Sequence, residues 1–116
     1  MSVSKISASG KPVSVTPSDY GASKGNSFLR EIEGGVVTGF IDISIGSSDV
    51  PSGGWYKIGY VGKLPKQTVS VPMIEAWHGS ITGIVQINTA GNIFVFPKET
   101  LSRNASRVLA IVTFLV

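Results

Sequence analysis

The sequence predicts an all-β fold: a small antiparallel β-sandwich, jelly-roll-like, with an extended N-terminal arm. Apolar and polar residues alternate with period two over several segments, as they do in strands with one buried face. The chain contains 14 glycines, and clusters of turn-forming residues return about every eight to twelve residues. Its 116 residues are the length of one domain with a single core.

We predict two parts, an extended arm over residues 1–27 and a β-sandwich domain over residues 28–116. The first part holds Ser, Lys, Gly and Pro with isolated apolar residues, and Pro12 and Pro17 exclude a regular helix. It has too few apolar groups to form a core of its own. Two interpretations stay open: a floppy leader, or an arm that docks on another subunit or a larger particle. The alternation over residues 13–15 is compatible with the second.

Three strands are predicted before the last third of the chain. Residues 36–45 have Val and Ile on one face and a mixed set on the other, and the Ser, Asp, Pro and Gly cluster over residues 46–54 ends this strand with a loop. The next strands are predicted at residues 55–61 and 68–74. Pro72 indicates that the later of these lies at a sheet edge or contains a bulge, because proline has no amide hydrogen for the ladder.

The strongest local signal is a β-hairpin within residues 79–96, to which the other strands are added. Two segments rich in β-branched and aromatic residues, 81–87 and 93–96, flank the sequence Asn-Thr-Ala-Gly-Asn at residues 88–92. Asn and Gly tolerate the positive φ angles of tight turns, so this middle segment is predicted to be the hairpin loop. Residues 97–107 are predicted to form a long loop with one turn of helix.

The closing segment, residues 108–116, is apolar on both faces when it is read as a strand. A sandwich of this size buries only one face of each strand against the other sheet. If Leu109, Ile111 and Leu115 stayed in water, roughly 5–9 kcal/mol of burial would be lost, which is comparable with the stability of a whole domain. Either the same chain covers a strand in the middle of a sheet, or a second copy covers it, and we favour the second. The predicted oligomer interface consists of Leu109, Ile111, Thr113, Leu115, Phe94 and Phe96.

The composition argues against several classes of function. The net charge is +3, but only 15% of the residues are charged and the ten Lys and Arg form no run, so we expect no nucleic-acid binding, which needs concentrated positive charge. The absence of Cys excludes disulfides, a thiolate zinc site and a Cys nucleophile. The longest apolar stretch, residues 108–116, has about half the length of a membrane-spanning helix, so we expect no membrane insertion.

No set of residues indicates catalysis. His78, the one histidine, lies three residues after Glu75, but a histidine at a turn beside Gly79 is ordinarily solvated. One His without Cys leaves only scattered carboxylates as metal ligands. The serine elbow of hydrolases and the glycine motifs of phosphate and dinucleotide sites are absent. We therefore expect that the protein is not an enzyme and uses no metal or cofactor.

The aromatic residues are the candidates for ligand binding. Sugars bind through aromatic faces and a few polar groups, and these residues could line a shallow glycan site. The alternative is that the aromatic side chains fill the core or the interface. The candidate ligand-binding residues are Trp55, Tyr56, Tyr60, Trp77 and His78.

Residues 53–96 carry a series of short motifs. They are Gly-Gly-Trp-Tyr-Lys-Ile-Gly-Tyr at residues 53–60, Lys-Leu-Pro at residues 63–65, a Val-rich strand, and Gly-x-Ile-x-x-Ile-Val-x-Ile-Asn-Thr-Ala-Gly-Asn-Ile-x-Val at residues 79–95. This order resembles bacteriophage fibre and baseplate domains, which often read as a Trp strand, a Leu-Pro turn and an Ile-rich hairpin. The resemblance implies a small β-sandwich or jelly-roll that assembles as a homo-oligomer, commonly a trimer, on a phage particle.

The resemblance also implies a task. The tip or flank of such a domain would recognise a host-surface polysaccharide or protein, and the arm would attach it to other virion proteins. We therefore expect a non-enzymatic virion structural protein that is assembled in the host cytoplasm. The leader is short and no collagen-like or heptad shaft precedes the domain, which favours a head fibre, a capsid decoration protein or an adaptor as alternatives. A free-standing carbohydrate-binding, lectin-like module is the alternative of a different class.

Overall fold

The fold is built from β-strands. The computed structural model describes residues 10–77 and 79–116, and these residues contain no helix, so none that could cross a membrane. The all-β prediction is confirmed. The strands are β1 (Lys11–Val13), β2 (Val15–Pro17), β3 (Gly21–Ser23), β4 (Phe28–Ile32), β5 (Val36–Ile45), β6 (Tyr56–Val61), β7 (Val69–Glu75), β8 (Ile81–Ile87), β9 (Asn92–Pro97) and β10 (Arg107–Leu115).

One antiparallel sheet contains all these strands and curves nearly into a barrel. Its order is β1-β4-β5-β10-β7-β8-β9-β6-β2, and β3 pairs with β5 beside this path. The two ends of the order, β1 and β2, are separated in the chain by Ser14 alone. Val13 therefore pairs with Leu29 on one edge of the sheet, while Val15 pairs with Val61 on the other. The finer description, a two-layer jelly-roll-like sandwich, stays a prediction.

The segment that was predicted as an arm has a different place from residue 10 onward. Residues 1–9 lie outside the described residues. From residue 10, the chain contributes β1, β2 and β3 to the sheet, and Val13 and Val15 are 7% and 6% exposed, respectively, within the core. The described part of residues 1–27 thus joins the two edges of the sheet, and its strands pair across the predicted boundary at residue 28.

The predicted central hairpin is present. Strands β8 and β9 pair from Gly83 opposite Pro97 to Ile87 opposite Ile93. The Asn88 side chain closes the turn, because its Oδ1 accepts hydrogen bonds from the amides of Ala90 (3.1 Å) and Asn92 (3.0 Å). Gly91 supplies the positive φ, at 83°.

Pro72 marks an interruption between β7 and β10. These two strands pair only at Val108 with Glu75 and at Leu109 with Ile74, and the pairing ends before Pro72. On the other side of β7, the register with β8 shifts between Met73 and Ile74. Pro72 itself stays in register with Ile84, and the extra residue at the shift is Thr82 of β8, so the bulge does not lie at the proline. What accompanies Pro72 is the incomplete ladder on the β10 side of β7, where a proline has no amide hydrogen to donate.

The interior of the curved sheet is apolar and closely packed. Each strand except β3 contributes at least one buried hydrophobic side chain, because alternate residues of a strand point to the same face. The largest of the fully buried side chains are Leu29, Ile41, Ile43, Ile58, Met73, Ile87 and Ile93.

The predicted loop after β9 is also present. Residues 98–106 contain no strand, and Val50 forms an isolated bridge with Leu101. The amide of Ser106 donates to the Ser102 carbonyl oxygen at 3.0 Å, and the Ser102 amide donates to the Ser106 Oγ at 2.9 Å. The loop therefore contains one turn with the hydrogen-bond spacing of an α-helix, without forming a helix.

Candidate binding surfaces

The outward side chains of β4, β5 and β10 form a flat surface that we call the β4–β5–β10 face. Strand β10 pairs with β5 along its whole length, from Arg107 opposite Ser44 to Leu115 opposite Val36. Strand β4 pairs with the other side of β5. The register aligns the outward residues in three rows. These rows are Phe28, Phe40 and Ile111; Arg30, Thr38 and Thr113; and Ile32, Val36 and Leu115.

The β4–β5–β10 face leaves large apolar side chains in water. Ile111 is 73% exposed, Leu115 is 55% exposed and Phe28 is 53% exposed, whereas the opposite side of β10 lies in the core. Strand β10 is in the middle of the sheet, so β5 and β7 flank it on its two sides and the core covers its inner face. Neither the two strands nor the core covers its outer face. For Ile111 and Leu115 the interpretation that the same chain covers the strand therefore fails within the described residues. Leu109 is half-buried and pairs with Ile74.

The middle row of this face is polar. The hydroxyl groups of Thr38 and Thr113 lie 2.9 Å apart across the two strands, within hydrogen-bond distance. The Arg30 guanidinium lies 4.8 Å from the centroid of the Phe28 ring, so its charge is placed over an aromatic face. The face is thus two apolar rows separated by a row of hydroxyl groups and one cation.

An ion pair between the buried Asp42 and the partly exposed Arg107 ends the face at the Arg107 side. Asp42 is fully buried, and its carboxylate accepts hydrogen bonds from Arg107 Nε (3.2 Å), Arg107 Nη2 (2.7 Å) and the Asn26 amide (3.1 Å). Burial alone would raise the pKa of Asp42, but the hydrogen bonds and the positive charge of Arg107 hold that pKa below its ordinary value of 3.8. The same contact raises the pKa of Arg107. Two contacts hold the segment before β4 over β5: the Asn26 amide donates to the Asp42 carboxylate, and Ser27 Oγ hydrogen-bonds the amide and carbonyl groups of Asp42.

The predicted interface residues of β9 lie on another surface. Phe96 points outward in a row with Pro72 and Ile84, and the Trp55 ring lies 5.1 Å from the Phe96 ring. Phe94 pairs with residues of β6 and β8. Strands β7 and β8 separate β9 from β10, so the structure does not bring the two predicted groups together. A shallow apolar groove lies at the Phe96 row, lined by Ser70, Val71, Pro72, Ile81, Gly83, Ile84, Phe96 and Lys98.

The candidate ligand-binding residues do not form one platform. Tyr56 packs against the core with its ring edge-on to Tyr20, at 5.1 Å between centroids. Trp55 lies against Phe96, with the two ring planes inclined at 57°. Tyr60 lies further along β6, opposite Asn92 at the start of β9, with Lys57 at 5.7 Å from its ring. His78 lies outside the described residues.

Trp77 stands apart from this set, beside a small cleft that we call the Trp77 cleft. Its volume is about 160 Å³. The side chain of Trp77 is 77% exposed, and its Nε1 donates a hydrogen bond to the Ala105 carbonyl oxygen at 3.0 Å. The Trp77 amide donates to Glu75 Oε1 at 2.8 Å, and the Glu75 amide donates to Thr82 Oγ1 at 3.1 Å. The cleft is lined by Glu75, Trp77, Thr82, Glu99, Thr100, Leu101, Ser102, Ala105 and Ser106.

Sequence reasoning found Trp77 but missed the rest of this cleft. Its lining comes from the end of β7, the start of β8 and the loop after β9, and nothing in the order of the residues indicates that these segments meet. The available signal was the density of hydroxyl and carboxylate residues over residues 99–106. By itself that pattern is typical of any exposed loop.

Metal chemistry finds no support among the described residues. Over residues 10–77 and 79–116, no group of three or more His, Cys, Asp or Glu side chains is close enough to hold a metal ion. The Asp42 carboxylate already binds Arg107.

Comparison with known proteins adds no relative. No family model matches the chain, and neither the curated proteins nor the solved structures contain a match.

Proposed function

We propose that the chain is a non-enzymatic structural protein of a bacteriophage particle, of the fibre, baseplate or head-fibre type, and that it assembles with copies of itself. The exposed β4–β5–β10 face is the observation that carries the self-assembly. The virion assignment is supported by the resemblance of residues 53–96 to fibre and baseplate domains. The proposed task is adhesion to a host-surface glycan or protein. A capsid decoration protein or adaptor differs only in its position on the particle.

The proposal keeps the jelly-roll-like sandwich as the description of one subunit. Buried residues of β10, such as Val112, and buried residues of β9, such as Val95, belong to the same core. The strands on the two sides of this core can therefore serve as the two layers of a sandwich.

The energy of burial supports association. Covering the Ile111, Leu115 and Phe28 side chains would contribute roughly 1.5–3 kcal/mol for each one that becomes fully buried. A second sheet packs on such a face at a distance of about 10 Å. The sum for three side chains is of the same order as the stability of a small domain. A sheet face with this composition is therefore expected to lie at an interface.

A second copy of the chain is the partner that this face fits. The two apolar rows lie on either side of the Thr38 and Thr113 row. If a copy is turned by a half-rotation about an axis through the hydroxyl row, each apolar row meets the other apolar row, which is the self-complementarity of a two-fold contact. The resemblance implies a trimer instead. The mass of the assembly distinguishes these two symmetries.

Light scattering after size exclusion tests the proposal. At about 10–100 µM the native chain is expected to have the mass of an oligomer, at least twice the 12.2 kDa of one chain. The Ile111→Asp variant is expected to be monomeric, because the contact would bury an unpaired charge. Tyr60→Asp is the matched control: Tyr60 is also an exposed large side chain, but it lies on β6, away from β10 in the strand order. Circular dichroism checks that both variants fold. A monomeric native chain, or an Ile111→Asp variant with the native mass, would refute self-assembly through this face.

A lectin-like module is the second candidate, and the Trp77 cleft favours it. An exposed indole beside hydroxyl and carboxylate groups is the combination that sugars use. This candidate needs no assembly, so it predicts glycan binding by a monomer.

A further inference from the structure

The indole of Trp77 is held in place although most of it is in water. The indole Nε1 donates a hydrogen bond to the Ala105 carbonyl oxygen, and the Trp77 backbone amide donates one to the Glu75 carboxylate. These two hydrogen bonds fix both the ring and the backbone of Trp77. A single exposed aromatic side chain is ordinary, but one whose donor is already satisfied offers an apolar face without a polar atom to desolvate. A ring that is already ordered also loses little entropy when a ligand stacks on it.

The groups around this ring are acceptors and hydroxyls. Thr82, Glu99, Thr100 and Ser102 line the cleft, and the described lining residues include no Lys or Arg. Within the described residues, the Glu99 carboxylate and the Thr100 hydroxyl have no hydrogen-bond or ion-pair partner. A ligand with several hydroxyl groups can donate to Glu99 and exchange hydrogen bonds with Thr100, whereas an anion would meet the Glu99 carboxylate.

The dimensions of the cleft limit the ligand to one ring. A volume of about 160 Å³ is roughly half of the lower limit for sites that take drug-sized molecules, about 300 Å³. A quaternary ammonium ligand is disfavoured because such ligands are held by several aromatic rings, and Trp77 is the one aromatic residue among the described lining residues.

We propose that the Trp77 cleft binds one neutral pyranose ring of a glycan. The apolar face of the sugar stacks on the Trp77 indole, and its hydroxyl groups donate to Glu99 and bond to Thr100. This inference deepens the adhesive part of the proposed function by naming the ligand class and the residues. It does not depend on self-assembly, because Trp77 lies in the turn after β7 and outside the β4–β5–β10 face.

Saturation-transfer NMR on the full chain tests the site. The probes are the methyl glycosides of glucose, galactose, mannose and N-acetylglucosamine, with glucuronic acid as the anionic comparison. At least one neutral sugar is expected to receive saturation on one face of its ring and to shift the Trp77 indole N–H resonance, with a dissociation constant on the order of 1 mM. Glucuronic acid is expected to bind more weakly, because the Glu99 carboxylate repels it.

Single substitutions distinguish sugar binding at the Trp77 cleft from non-specific binding elsewhere on the protein. Trp77→Ala is expected to weaken binding by at least about tenfold, and Glu99→Gln by about threefold to tenfold. Trp55→Ala, the matched control at the other tryptophan, is expected to bind as the native chain does. Retained binding by Ile111→Asp would show that the sugar site stands even if self-assembly fails. Absence of transfer to all four sugars at about 50 mM, transfer that survives Trp77→Ala, or preference for glucuronic acid would overturn the proposal.

Discussion

Asp42 shows how one buried charge can organise the border of a surface. The carboxylate is out of contact with water, and three donors from Arg107 and Asn26 replace the hydration that burial removes. Gly25 allows the covering segment to approach, because its φ is 50° and a Cβ there would come within 2.7 Å of the Asp42 side chain. The charge pair therefore orders a loop that the sequence gives no other reason to fold back over β5.

The Asp42 pKa predicts an acid-dependent loss of stability. A carboxyl group whose pKa is lower in the folded state stabilises the fold above its unfolded pKa, and this contribution is lost as the pH falls through the folded pKa. The unfolding free energy of the native chain is thus expected to drop below about pH 4. Asp42→Asn is expected to lower the stability at pH 7 by about 1–3 kcal/mol, discounted because Arg107 is partly in water, and to flatten the acid dependence.

Urea unfolding at a series of pH values between 7 and 3 measures this effect. Asp19→Asn is the control, because it removes an exposed carboxylate and leaves the ion pair intact. Parallel pH profiles for the native chain and Asp42→Asn would contradict the role assigned to the pair.

At the scale of single residues, period-two alternation predicted the facing of β10 correctly. Leu109, Ile111, Thr113 and Leu115 do share one face, with the core residues on the other. The same reasoning placed Asp42 on the mixed face of its strand but could not show that it is buried. Its burial comes from residues 24–27, which are separated from it along the chain and return over it.

At the scale of elements, residues 11–17 form both end strands of the sheet, β1 and β2. These seven residues pair with β4 through one half and with β6 through the other, so a single short segment supplies both edge strands of the sheet. Edge strands of three residues with prolines at Pro12 and Pro17 offer a poor template for uncontrolled strand pairing. The sequence did not indicate this, because Pro12 and Pro17 and the polar composition are typical of a leader. The strand signal there is limited to Val13 and Val15.

Truncation from the N-terminus tests this role of the segment. Removing residues 1–9 is expected to leave the thermal midpoint nearly unchanged, since β1 and β2 remain. Removing residues 1–17 is expected to cost roughly 3–6 kcal/mol from Val13 and Val15 alone, together with both short ladders, and so to unfold the chain or lower its midpoint strongly. Thermal unfolding followed by circular dichroism measures both variants. Equal midpoints for the two truncations would show that β1 and β2 do not hold the sheet together.

At the scale of elements, local sequence patterns predict individual strands and turns but not the order of the strands in the sheet. Pattern reading predicted the hairpin and the loop after it, because each depends on residues that are close in sequence. It grouped Phe94 and Phe96 with β10, but strand order is set by long-range pairing that no local pattern encodes. The structure inserts β7 and β8 between β9 and β10.

At the scale of the whole molecule, the sheet curves nearly into a barrel around an apolar core and carries an apolar outer face. Its interior is packed with hydrophobic side chains. The exposed Ile111 and Leu115 lie on β10, which forms the longest ladder with β5, and the exposed Phe28 lies on β4 beside them. The regular register keeps these side chains in straight rows, which suits packing against a second sheet. The Trp77 cleft lies at the end of the sheet from which β10 starts, so a copy on the β4–β5–β10 face need not cover it.

The accessibility of position 113 tests most directly whether copies cover this face. The chain has no cysteine, so Thr113→Cys places a single thiol in the middle row, and Thr89→Cys places one in the exposed hairpin loop as a matched control. Maleimide labelling of the Thr113→Cys thiol is expected to slow by at least about tenfold when the protein concentration is raised from about 1 µM to about 100 µM, while the Thr89→Cys thiol reacts at one rate throughout. Equal labelling rates for Thr113→Cys at both concentrations would contradict self-assembly through the β4–β5–β10 face.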